Sequence, residues 1–199
     1  MKTKFIKTLF LTSLITMSLS NFTFAKGLSQ DEFIKNLENT YNVEIELNQD
    51  NLTDMDLINI KNKIETMNLK IENLKKELSV PEYITFNKLL RASQNYSGTA
   101  VVDASVPAIG FYKIFIPYRY TVVTSGGAPY FSNARADDSY AGGLSIGTWS
   151  CYSSWTEIYS RNGRRNNVLD INTKGSITYS VGPGNVTLPN QVFVKTFYL

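Results

Sequence analysis

The hydrophobic period of this chain changes once, and that change constrains the fold more than any other feature. Leu57, Ile60, Ile64, Met67, Ile71, Leu74 and Leu78 recur at alternating spacings of three and four, the heptad seam of one long helix. From residue 112 to residue 122, every second position is Tyr, Ile, Ile, Tyr, Tyr or Val, the two-residue period of a strand with one apolar face. Helices followed by strands, without helices between the strands, place the chain in the α+β class.

Local signals refine the helical part. Ser29 and Glu32 have capping-box spacing, and Leu28 and Phe33 are placed to staple the start of a helix over about residues 30–40 with Phe33, Ile34, Leu37 and Tyr41 on one side. Val43 to Leu47 alternates apolar and acidic residues, as a short strand with one wet face does. Thr53 and Asp56 form a second capping pair ahead of the seam. Ser79-Val80-Pro81-Glu82 repeats the spacing, with proline inside the first turn, and predicts a third helix lined by Tyr83, Phe86 and Leu90. The polar stretch from Ala92 to Gly98 is the expected boundary.

Beyond Thr99 the turns set the strands. Ser125-Gly126-Gly127-Ala128-Pro129, Asn162-Gly163 and Gly182-Pro183-Gly184-Asn185 are turn sequences, and Asn-Gly is the strongest, because both residues accept the positive φ of a type I′ hairpin. Gly142, Gly143 and Gly147 point to a bent or bulged strand, and Pro117 demands an edge, a bulge or a break. The expectation is a helical region over 26–92, with about three helices and one short strand, then an antiparallel β-sandwich or barrel of about seven strands over 99–199.

The amino terminus carries an address. Lys2, Lys4 and Lys7 precede the apolar run from Thr8 to Leu19, and Thr23-Phe24-Ala25 follows with small residues before a cleavage point. This is the pattern of a secretory signal peptide, and the run is too short to span about 30 Å of hydrocarbon. Residues 1–25 are expected to be removed, leaving a chain from Lys26 without a transmembrane segment, extracellular or held non-covalently at the cell envelope.

Composition then excludes chemistry. The chain holds 20 Lys/Arg against 17 Asp/Glu, so loss of the three signal lysines leaves no net charge, which argues against nucleic acid as partner. The charge is uneven, with net −4 over residues 26–80 and net +4 over residues 81–199. Attraction between packed parts accounts for that, and a basic face toward a wall polymer is the functional alternative. Histidine is absent, which removes serine and cysteine triads and His-ligated zinc. Cys151 is alone and reads as a small core hydrophobe rather than a nucleophile. No phosphate loop, cysteine zinc cluster, dinucleotide fingerprint or calcium loop is present, so no cofactor or metal is expected. Asn51, Asn95 and Asn185 open glycosylation triplets that matter only in a glycosylating pathway.

Two sets of residues remain as candidates. Arg161, Arg164 and Arg165 flank the Asn-Gly turn, and Trp155 and Tyr159 lie on the strand that feeds it. Guanidinium groups beside aromatic surface suit an anionic or sugar polymer of a cell surface, while the plainer alternative is a solvated turn beside a buried Trp and Tyr. The carboxylates Asp103, Asp137, Asp138, Glu157 and Asp170 are the other set, and adjacent Asp137 and Asp138 point to opposite faces if extended. In composition the chain resembles small secreted proteins of Gram-positive bacteria. The functional expectation is a secreted, non-enzymatic binding module. A carboxylate-dependent glycan hydrolase is the first alternative. The second is a homo-oligomer joined through the seam, whose flanking Lys61, Lys63, Lys70 and Lys75 oppose a parallel pairing.

Overall fold

The two amino-terminal helices start where their capping boxes stand. The computed structural model describes residues 29–84, 93–107, 109–110, 112–125, 127–143 and 147–199; the expected signal peptide and Leu28 lie outside them. Glu32 N–H donates to Ser29 Oγ at 3.3 Å, and Ser29 N–H returns to Glu32 Oε2 at 2.9 Å, opening α1 (Gln30–Tyr41). Asn42, at φ 51°, ends it in the left-handed region. After β1 (Glu44–Leu47), Thr53 and Asp56 form the same reciprocal box for α2 (Asp54–Leu78). At 25 residues α2 is about 37 Å long. Six of the seven seam residues, Leu57 through Leu74, are buried within the chain, and Ile60, Ile64, Met67, Ile71 and Leu74 share one core with both sheets.

The expected third helix does not begin at its box. Ser79 instead caps the end of α2, its hydroxyl donating to the Lys76 carbonyl at 2.7 Å. Glu82–Tyr83 forms β2, parallel to the end of β9 (Gly184–Tyr198). The sheet edge outcompetes the box because it satisfies more groups: Ile84 N–H reaches the Tyr198 carbonyl at 2.8 Å, and Glu82 pairs with Lys195 at 3.2 Å. Phe86 and Leu90 lie outside the described residues, among which two helices stand in place of about three.

From residue 93 onward the described residues form seven strands, all antiparallel to their partners within this set: β3 (Ser93–Asp103), β4 (Lys113–Ser125), β5 (Ala128–Ala136), β6 (Tyr140–Gly142), β7 (Gly147–Arg161), β8 (Arg164–Ser180) and β9. The stretch read as a boundary is therefore mostly strand, paired with β4 from Ser93↔Val123 onward. The first sheet runs β1-β9-β8-β7, with β2 also on β9, and the second runs β3-β4-β5, with β6 also on β4. Tyr118 and Tyr120 of β4 pack on Phe197 of β9 at 5.3 and 6.0 Å between ring centroids, joining the two sheets in one core.

Pro117 is central in the chain of β4 yet breaks the ladder beside it. β6 pairs with Lys113–Phe115 and β5 with Tyr118–Ser125, so the partner strand is interrupted opposite Pro117. Residues 137–139 fill the gap, with Asp137 N–H donating to the Pro117 carbonyl at 3.0 Å. Asp137 turns outward, whereas Ser139 is buried and accepts the Trp149 indole N–H at 2.8 Å. Among the described residues, no helix is long and apolar enough to cross a membrane.

Candidate functional site

The site residues come together through strand register on the outer face of the first sheet. Directly paired residues share a face, so each row of the ladder is a row of side chains. The end row contains Tyr83 of β2, Tyr198 of β9, Val168 of β8 and Tyr159 of β7. The next contains Thr196, Asp170 and Glu157, and the third Val194, Asn172 and Trp155. Three tyrosines thus lie across the sheet, with Trp155 four residues along β7 and two carboxylates between.

Several polar groups in this patch are held. The Trp155 indole N–H donates to Glu157 Oε1 at 3.0 Å, and Thr196 Oγ1 donates to Asp170 Oδ1 at 2.6 Å. Burial, then the Asp170 charge and a hydrogen bond to that carboxylate, push the Tyr159 hydroxyl up to about 12. The Tyr83 and Tyr198 rings meet edge to face at 5.4 Å. The rings still offer surface, since Tyr83 is 73% and Tyr159 40% exposed.

The hairpin that delivers Tyr159 has the predicted turn. Asn162 and Gly163 sit at φ 55° and 73°, and Arg161 pairs with Arg164. Its arginines do not converge. Arg161 joins the aromatic face, donating to the Tyr198 hydroxyl with its Cζ 5.3 Å from that ring's centroid. Arg165 turns to the second sheet, where its Cζ lies 4.6 Å from the Tyr130 ring centroid, and Arg164 is exposed.

The carboxylates read from the sequence separate in the same way. Glu157 and Asp170 are direct cross-strand partners. Asp103 is elsewhere, accepting the Ser105 N–H at 3.1 Å, and Asp137 is bound by Arg119 and Arg135. Among the described residues no three of His, Cys, Asp or Glu are grouped to hold a metal. Cys151 is half-buried and packs against the edge of the core, with Sγ 3.7 Å from Ser154 Oγ and 3.8 Å from Thr173 Oγ1. Burial raises its thiol pKa, but hydrogen bonds to Ser139, Ser154 and Thr173 outweigh that and bring it below the ordinary value.

The structure places Trp155, Tyr159 and Arg161, singled out in the sequence as site candidates, on one face together with Tyr83, Tyr198 and Thr196, which the sequence does not single out as such. Tyr83, expected to line a helix, stands in β2. Tyr198 carries no local signal, because its place in line with Tyr159, two strands away, is set by register across β8. Chemically, the patch offers apolar ring faces beside carboxylate oxygens that only accept hydrogen bonds, an arrangement suited to a flat ligand rich in hydroxyl groups.

No protein-family model matches the chain, and no curated protein does. A solved structure similar to it is a two-domain protein of unknown function from Bacteroides thetaiotaomicron, 12% identical, covering 74% of this chain and 69% of that one at a TM-score of 0.33.

Proposed function

We propose that this protein is a secreted, non-enzymatic binding module on a two-sheet, sandwich-type scaffold, and that it holds a glycan polymer on the outer face of the first sheet. The observation that supports this best is the row Tyr83, Tyr198 and Tyr159, with Trp155 on the same face and Glu157 and Asp170 between the rings. Sugar rings present apolar C–H faces to aromatic rings, and their hydroxyls donate to carboxylates. The basic, apolar and small-residue pattern of residues 1–25 supports export, with the protein free outside the cell or held non-covalently at its envelope.

Binding of the mature protein to isolated cell-wall polysaccharide tests the reading. The double variant Trp155→Ala/Tyr159→Ala should keep its fold by circular dichroism and bind about tenfold more weakly or worse, a loss of about 1.4 kcal/mol or more. Equal retention of both proteins would sink it.

One observation favours a second reading, a glycan hydrolase. Glu157 lies directly opposite Asp170 on one face, and a pair of neighbouring carboxyl groups is what a retaining glycosidase requires. Release of reducing ends by the unmodified protein, abolished in Asp170→Asn while binding persists, would establish that reading in place of the first.

A further inference from the structure

The second sheet carries its own concavity, lined by different chemistry. A groove of about 710 Å³ lies over β3, β4 and β5, within the range of about 300–1,000 Å³ usual for small-ligand sites. Its charged residues are Arg119, Arg135 and Asp137. Arg119 and Arg135 are direct cross-strand partners, an unfavourable placement for like charges. Asp137 relieves it from the gap opened by Pro117: its Oδ2 is 2.8 Å from Arg119 Nη2 and its Oδ1 3.0 Å from Arg135 Nε. These contacts, the hydrogen bond from Arg119 foremost, hold its carboxyl below the usual range.

One carboxylate therefore serves two guanidinium groups, leaving one positive charge in the groove. Each guanidinium has five N–H donors, and the two side chains are 64% and 71% exposed, so most donors remain open to a ligand. Beside them, Thr121 and Asn133 are paired in register, and Thr121 Oγ1 donates to Asn95 Oδ1 at 2.7 Å, which leaves the Asn95 amide N–H groups to donate.

We infer that this groove binds an acidic sugar, with Arg119 and Arg135 on its carboxylate and Asn95, Thr121 and Asn133 on its hydroxyls. The single surplus charge matches a monoanion rather than a phosphate dianion, and the neutral amides and hydroxyl match a polyol. The site is separate from the aromatic face and does not depend on that reading.

Calorimetric titration of the mature protein with an acidic trimer that carries one carboxylate (galacturonic acid between two galactoses), a neutral galactose trimer and inorganic phosphate tests it. The acidic trimer should bind, more weakly as salt rises, and about tenfold or more weakly in R119Q and in R135Q. D137N should bind it more tightly, because the competing carboxylate is gone; a merely structural role for Asp137 would not strengthen binding. Trp155→Ala should leave this titration unchanged. Equal affinity for the neutral trimer, affinity for phosphate matching that for the acidic trimer, or folded R119Q and R135Q proteins that bind as the unmodified one does would each overturn the inference.

Discussion

Gly175 marks the closest approach in the core face of β8. A Cβ there would lie 2.3 Å from the Ser150 carbonyl oxygen and 2.6 Å from the Trp149 ring. That ring is fixed in turn, because its indole N–H donates to Ser139, whose hydroxyl lies 2.6 Å from Thr173 Oγ1. Gly175→Ala should therefore lower stability by about 1–3 kcal/mol, the usual cost of overpacking, read as an earlier midpoint in urea; an unchanged midpoint would contradict the packing described. At this scale, the sequence is legible where chemistry is local to the backbone. Asn162-Gly163 announces positive φ by residue type alone. The hydroxyls around Cys151 come from Ser139, Ser154 and Thr173, up to 34 residues apart, and no spacing rule joins them.

Among the elements, α1 and α2 were legible because their caps and apolar faces lie within their own sequence. The expected third helix had an equally good box at Ser79–Glu82, where β2 stands instead, because β2 gains a strand partner and an ion pair that the box cannot match. Propensity at a short segment yields to an available sheet edge. The seam of α2 gives an element-scale prediction. Ile64 and Ile71 are 0% and 3% exposed, and each buried aliphatic side chain contributes about 1.5–3 kcal/mol, so Ile64→Lys/Ile71→Lys should unfold the protein, with loss of helical circular dichroism. A folded monomer from a formerly dimeric protein would show instead that the seam is a contact between copies.

Over the whole molecule, the two sheets turn two unlike outer faces to solvent: rings and carboxylates on one, guanidinium and amide groups on the other. The first was half legible, since Trp155, Tyr159 and Arg161 belong to one strand and its turn. Its other half depends on register across β7, β8, β9 and β2, which couples residues 83 and 159 and has no trace in either segment alone. Of the second, Asp137 and the break at Pro117 were legible singly, but not the site, because its two arginines meet only through the β4–β5 pairing. The two tryptophans report the central claim directly, since Trp149 is 9% exposed in the core and Trp155 lies on the proposed glycan face. With both replaced by 5-fluorotryptophan, titration with soluble cell-wall oligosaccharide should move the ¹⁹F resonance of Trp155 and leave that of Trp149 in place. Binding that leaves the Trp155 resonance where it was would contradict the account.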